Sequence, residues 1–138
     1  MKIIILDGSN LVRRHYLAAG QSPVFAKEVA QENILAQLMS TFRDEGTQIE
    51  IYFDGPKRPV WHRDNLVSVF FSKYKKADDL IVNAVAEHAE GYGNEVIVIS
   101  QDRELQQRCQ QYGATIITGN AFWNRHAASY EYEQAAWA

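Results

Sequence analysis

Three aspartates, Asp7, Asp54 and Asp102, each close a run of apolar, mostly β-branched residues in this 138-residue sequence. Carboxylates that share a small volume repel one another and raise each other's pKa values unless a cation lies among them. An all-oxygen set favours Mg²⁺ or Mn²⁺, and no pair of cysteines or histidines stands at the spacing of a zinc site. Such an ion binds phosphate oxygens and lowers the pKa of an attacking water, so the expected chemistry is phosphodiester hydrolysis.

Further acids stand at the starts of two predicted helices. Asp78 and Asp79 come directly after Lys75-Lys76-Ala77, at the start of a predicted helix. An acid in the first helical turn either caps backbone N–H groups or turns toward the other carboxylates, and both alternatives stay open. The candidate metal ligands are therefore Asp7, Asp54, Asp78, Asp79, Asp102 and Glu104.

The elements that must position these acids alternate along the chain. Continuous apolar runs are typical of strands covered on both faces, and apolar residues at helical spacing lie between them. Alternating strands and helices predict a parallel α/β sheet with right-handed crossovers, which binds ligands at the carboxyl ends of its strands. The predicted strands are Ile3–Asp7, Ile49–Asp54, Leu66–Phe71, Val96–Asp102 and Ala114–Ile117, and the predicted helices are Ala26–Arg43, Asp78–Glu90 and Arg103–Gln111.

Length and composition indicate one domain over residues 1–138, because 46% of the residues are hydrophobic and 22% charged. Residues 119–138 follow the last predicted strand, and we expect them to include an irregular C-terminal tail. The single cysteine, Cys109, excludes an internal disulfide and fits a reducing compartment. The first apolar run is too short for a signal peptide or a membrane span, so we expect a cytoplasmic protein with no membrane partner.

The formal net charge of −3 hides a strongly basic stretch. Between Lys57 and Lys76 the local charge is +5, which leaves −8 for the rest of the chain. A basic stretch beside the acids favours contact with a nucleic-acid backbone, although such runs are often only solvated surface. Trp61 and Tyr74 lie among these lysines and arginines. Each ring either stacks on an unpaired nucleobase or packs at the sheet edge. The candidate substrate-binding residues are Arg13, Arg14, Lys57, Arg58, Trp61, Lys73, Tyr74, Lys75 and Lys76.

Four short motifs occur in order at the predicted strand ends and helix starts: Asp7-Gly8-Ser9-Asn10, Phe53-Asp54-Gly55, Lys76-Ala77-Asp78-Asp79 and Ser100-Gln101-Asp102-Arg103-Glu104-Leu105. Over about residues 2–119 the sequence resembles NYN domains of the PIN-like nuclease superfamily, closest to the YacP-like branch. The resemblance implies a single Rossmann-like, PIN-like three-layer α/β domain with a mainly parallel central sheet. It further implies metal-dependent endonucleolytic cleavage of single-stranded RNA in the bacterial cytosol, with messenger RNA on the ribosome as one candidate substrate.

The resemblance also assigns roles to single residues. Asp7, Asp54, Asp78 and Asp102 would bind one or two Mg²⁺ or Mn²⁺ ions, with Asp78 favoured over its neighbour as the ligand. Glu104 stands where many family members have Asp. The catalytic set implied by the resemblance is Asp7, Asp54, Asp78, Asp102, Asn10 and Ser100, in which the last two orient ligands or water.

The residues themselves leave blander alternatives for two members of that set. Asn10 is equally suited to be a helix N-cap, and Ser100 to satisfy a local backbone group. The main alternative function is a catalytically silent RNA-binding module with the same fold. A phosphoacceptor domain centred on Asp54 is disfavoured because no lysine follows the last strand, and the absence of a glycine-rich phosphate loop argues against a nucleotide cofactor. The sequence leaves the oligomeric state undetermined.

Overall fold

The computed structural model describes residues 1–13, 47–56, 67–122 and 124. The predicted helix over 26–43 lies outside them. All five predicted strands are present and the other two predicted helices begin and end within one residue of expectation, as expected for apolar runs with clear periodicity. The elements are β1 (Lys2–Asp7), α1 (Gly8–Val12), β2 (Thr47–Phe53), β3 (Val67–Phe71), α2 (Ala77–Ala89), β4 (Glu95–Ile99), α3 (Arg103–Gln110) and β5 (Thr115–Ile117).

The five strands form one sheet in the order β3-β2-β1-β4-β5, and every neighbouring pair is parallel. The predicted α/β class is confirmed, and the sheet of the described residues is wholly parallel rather than mainly so. In register, Asp7 stands beside Tyr52 of β2, and Leu6 beside Ile99 of β4. The carboxyl ends of the three central strands are therefore level. The chain winds outward in opposite directions from β1, so this end of β1 is the switch point at which such sheets bind ligands.

Both faces of the sheet are covered. Ile4 and Leu6 of β1 point to one face, where they pack with Leu11 of α1 and with Phe122. Ile3 and Ile5 point to the other face and pack beneath α2 and α3. Helices on both sides of a buried parallel sheet give three layers, and they explain why the strands are apolar without alternation.

The two long helices bury one side each against the sheet. In α2 the buried residues include Ala77, Ile81 and Val85, which recur at helical spacing. In α3 Leu105 and Cys109 are fully buried. Burial raises the pKa of the Cys109 thiol to about 11, so this cysteine is an inert core residue.

Only the first residues of the segment expected to include an irregular tail are described, because residues 123 and 125–138 lie outside the described residues. Residues 119–122 are helical, and Phe122 is only 2% exposed because it fills the core face that β1 and β2 share. A lone aromatic residue carries no periodicity, which is why the sequence did not indicate this anchor. Within the described part of the chain, no helix has the length and apolar character needed to cross a membrane.

Candidate active site

A cleft of about 290 Å³ opens at the carboxyl ends of the central strands. Four segments that are distant in the sequence supply its four aspartates, so the topology brings together the acids that close the apolar runs. The residues lining it are Asp7, Asn10, Arg13, Asp54, Lys76, Asp78 and Asp102.

Asp7 is the buried acid of this cleft and is only 2% exposed. The Ser100 hydroxyl donates a hydrogen bond of 2.9 Å to its Oδ2. Burial, reinforced by the nearby carboxylates of Asp78 and Asp54, raises the pKa of Asp7 to about 7, and the Ser100 bond only partly offsets this. The Asp7 carboxyl is therefore about half protonated near pH 7 when no cation lies beside it.

The loop after β4 holds the opposite wall of the cleft. Ser100 Oγ accepts a bond of 3.1 Å from the Asp102 backbone N–H while it donates to Asp7. The Ser100 hydroxyl therefore satisfies a local backbone group, as one of the two alternatives expected, and also bonds to the Asp7 carboxyl. Asp102 Oδ1 accepts from the Leu105 N–H at 3.1 Å and caps α3, which orients this carboxylate.

Asn10 lies inside α1, which begins at Gly8, so the N-cap alternative considered for Asn10 is wrong. Its Oδ1 accepts a bond of 3.1 Å from the Gln101 backbone N–H and so fixes the loop after β4. Gln101 itself was missed by the sequence reasoning. Its Oε1 accepts from the Asn120 N–H at 2.9 Å and ties this loop to the helical residues that follow β5.

Asp54 is exposed and is held from both sides. Its Oδ1 accepts from the Ala77 N–H at the start of α2 at 2.9 Å, and its own N–H donates to Ser9 Oγ at 2.7 Å. Ser9 was also missed by the sequence reasoning. Gly8 allows α1 to approach this strand end, because a Cβ there would lie 2.5 Å from the Phe53 ring.

The two neighbouring acids of α2 point to different places. Asp78 lines the cleft, and its pKa is raised by partial burial and by the carboxylates of Asp102 and Asp54. Asp79 does not line the cleft and forms an ion pair of 3.0 Å with Arg108 of α3. Glu104 is exposed in the first turn of α3 and does not line the cleft either. Four of the six candidate ligands are thus brought together.

The donors of the cleft suit a hard cation, although they are not a ready-made cage. Among residues 1–13, 47–56, 67–122 and 124, no three carboxylate, imidazole or thiol groups converge closely enough to hold a metal ion by themselves. Mg²⁺ commonly takes only one or two carboxylates and completes its shell with waters and substrate phosphates. The carboxylate oxygens around the buried Asp7 fit that mode of binding.

The candidate substrate-binding residues fall into three groups. Arg13 and Lys76 line the cleft itself. Lys73, Tyr74 and Lys75 are exposed on the turn between β3 and α2, outside the lining. Arg14, Lys57, Arg58 and Trp61 lie outside the described residues.

Comparisons with known proteins agree with this fold. The chain is similar to the crystal structure of Rae1 (YacP) from Bacillus subtilis, with a TM-score of 0.71 and 18% identity over 99% of this chain and 80% of that one. The W164L mutant of the same protein matches with a TM-score of 0.73 and 18% identity, over 93% of this chain and 76% of that one. A search of curated proteins finds no match. The model of the YacP-like NYN domain matches residues 4–135, and the chain therefore belongs to the YacP-like NYN domain family.

Proposed function

We propose that the protein is a divalent-metal-dependent endoribonuclease that hydrolyses single-stranded RNA in the cleft at the carboxyl end of β1. The observation that carries the proposal is the buried Asp7, which faces two further carboxylates across the cleft and forms no ion pair with any described lysine, arginine or histidine. Membership of the YacP-like NYN family supports a nuclease-like, RNA-related function.

In this proposal Mg²⁺ or Mn²⁺ would bind at Asp7, and Asp54, Asp78 and Asp102 would contribute carboxylates either directly or through waters of the ion, because Mg²⁺ needs only one or two carboxylates of its own. When bound, the ion neutralises phosphate charge and makes a water more acidic. Ser100 keeps the Asp7 carboxylate in a fixed orientation through its 2.9 Å bond.

Two cations of the cleft serve the substrate rather than the metal. Arg13 and Lys76 line the same cleft as the acids, so they are placed to bind oxygens of the phosphate that reacts. Asn10 keeps the loop that carries Asp102 in place through the Gln101 N–H. We propose a cytoplasmic location, and messenger RNA on the ribosome stays a prediction from the family resemblance.

The test is cleavage of a labelled single-stranded RNA by purified protein with Mn²⁺ or Mg²⁺. Asp7→Asn and Asp102→Asn should each lower the cleavage rate at least 100-fold, because each removes a charge that the cation needs. Glu90→Gln is the matched control, since it neutralises an exposed acid at the far end of α2. Equal cleavage by the wild type and both Asp variants would identify a contaminating nuclease and refute the proposal.

A catalytically silent RNA-binding module is the second candidate. It is favoured by one observation, the lack of three converging metal-binding groups among the described residues. RNA binding that is unaffected by EDTA, with no product under any divalent ion, would select this alternative.

A further inference from the structure

Two tyrosines of the described chain are completely exposed, and their surroundings differ. Tyr74 lies in the turn between β3 and α2, with lysines on both sides. Tyr92 lies between two glycines before β4, at the amino end of the sheet, with Glu90 and Glu95 nearby in the sequence. Only the first tyrosine combines an exposed ring with local positive charge, which is the pairing that holds a base and its phosphates.

The turn that carries Tyr74, residues 72–76, is fastened to the end of β2. Ser72 N–H donates to the Phe53 carbonyl at 2.9 Å, and Lys73 N–H donates to the Gly55 carbonyl at 2.8 Å. Gly55 N–H in turn donates to Ser72 Oγ at 3.1 Å. These bonds hold Lys73 at a φ of 61°, a left-handed conformation that residues with a side chain rarely adopt. The turn is therefore a fixed structure, and it presents the ring of Tyr74 to solvent.

The same turn is connected to the cleft. Asp54, directly before Gly55, accepts the Ala77 N–H at the end of the turn, and Lys76 lines the cleft. The exposed ring thus lies two residues from a cation of the cleft, on a backbone that is bonded on both sides to the strand end carrying Asp54. A nucleic-acid strand bound at Lys76 would thus have an exposed aromatic ring on the same five-residue turn.

We propose that Tyr74 stacks on an unpaired base at a fixed distance from the reacting phosphate, and that this contact selects which phosphodiester bond enters the cleft. This inference rests on the proposed function. Stacking on one aromatic side chain tolerates any base, so Tyr74 would set the position of cleavage relative to a base without setting a sequence. A duplex keeps its bases stacked internally and would not offer one to the ring.

The experiment is an abasic scan. A single-stranded RNA is prepared as a series in which one nucleotide at a time lacks its base, and cleavage at each bond is mapped. For the wild type, removing a base should suppress cleavage about 5- to 100-fold at one fixed offset from the abasic position, the range expected from a single stacked base. Tyr74→Ala should cleave intact RNA more slowly by a similar factor and lose the offset. Tyr74→Phe should retain it, and Tyr92→Ala should match the wild type.

Binding to the same RNA series in EDTA separates the two proposals. If the wild type cleaves and Tyr74→Ala shows the same offset, the stacking inference is wrong and the nuclease proposal stands. If the wild type binds without cleaving, a fivefold or larger binding loss in Tyr74→Ala that disappears on one abasic RNA supports stacking alone. The absence of both binding and cleavage by the wild type overturns both proposals.

Discussion

Two buried carboxylates on neighbouring central strands are treated differently by this fold. Glu50 of β2 is 4% exposed and Asp7 of β1 is 2% exposed. Glu50 accepts hydrogen bonds from the Tyr52 hydroxyl at 2.6 Å and from Gln48 Nε2 at 3.2 Å, and His88 Nε2 of α2 lies 2.6 Å from it. Asp7 accepts hydrogen bonds from the Ser100 hydroxyl and from the Asn10 backbone, while its other neighbours include the carboxylates of Asp78 and Asp54.

The contrast between these two acids indicates where a cation would compensate buried negative charge. A buried carboxylate is costly unless the protein supplies donors or charge to compensate it. Glu50 receives that compensation from Tyr52, Gln48 and His88. Burial, together with the contact with Glu50, raises the pKa of the Tyr52 phenol, so the Tyr52 hydroxyl stays a donor. Asp7 is compensated only in part, and under the proposed function a proton or an external cation would complete its site. Glu50 is therefore a structural acid, and Asp7 is the acid that the proposed function uses.

The ionisation of Asp7 should make the free energy of unfolding depend strongly on pH. Its pKa rises from 3.8 to about 7 on folding, so between these values the native state binds the proton that the unfolded state releases. Stability is therefore lost as pH increases through this window, and the full penalty is present above pH 7. In EDTA, Asp7→Asn should be more stable than the wild type at pH 8 by up to about 4 kcal/mol, at about 1.4 kcal/mol per pKa unit.

Urea unfolding at pH 4, 6 and 8 measures this difference. The advantage of Asp7→Asn should shrink toward zero near pH 4, because the native state is protonated there and the unfolded state is nearly half protonated, which leaves little of the penalty. A constant difference at all three pH values would show that the substitution acts through packing rather than through charge.

Removing Glu50, the acid with several donors around it, should lower the free energy of unfolding, whereas neutralising Asp7 should raise it. Glu50→Ala removes the acceptor of the buried Tyr52 hydroxyl and the partner of the partly buried Gln48 and His88 side chains. We expect a loss of about 3 kcal/mol in the free energy of unfolding. Glu50→Gln keeps an acceptor oxygen and should lose less, and Glu95→Ala, an exposed acid at the start of β4, is the surface control. If Glu50→Ala unfolds like the wild type, the contrast with Asp7 fails.

Added metal should stabilise the protein only through the cleft. At a free Mn²⁺ concentration 100 times its dissociation constant, the wild type should gain about 2.7 kcal/mol. Asp7→Asn should lose most of this gain and Glu50→Gln should keep it. Thermal unfolding with and without Mn²⁺ gives the readout, and an equal gain in both variants would place the ion outside the cleft.

The acids at the strand ends could be predicted from the sequence because each follows a run of apolar residues that is typical of a buried strand. It did not carry the network around Glu50, since His88 lies 38 residues away and meets Glu50 only after α2 packs on the sheet. Ser9 and Gln101 were missed for a similar reason. Short polar side chains in loops look alike until the backbone groups they bond are in place.

The smallest effect separates Asp78 from Asp79, which sequence alone left ambiguous because consecutive residues of a helix point about 100° apart. The Asp79–Arg108 pair is largely exposed, so Asp79→Asn should change stability by less than about 1 kcal/mol and RNA cleavage by less than about twofold. Asp78→Asn, the same change one residue earlier, should lower cleavage at least tenfold, because Asp78 faces Asp54 and Asp102 across the cleft. The cleavage rates of the two variants are measured side by side. Equal losses of cleavage would show that the orientation of α2 does not decide which of the two acids acts in the cleft. Unequal losses in the stated order would tie the chemistry to the acid that lines the cleft.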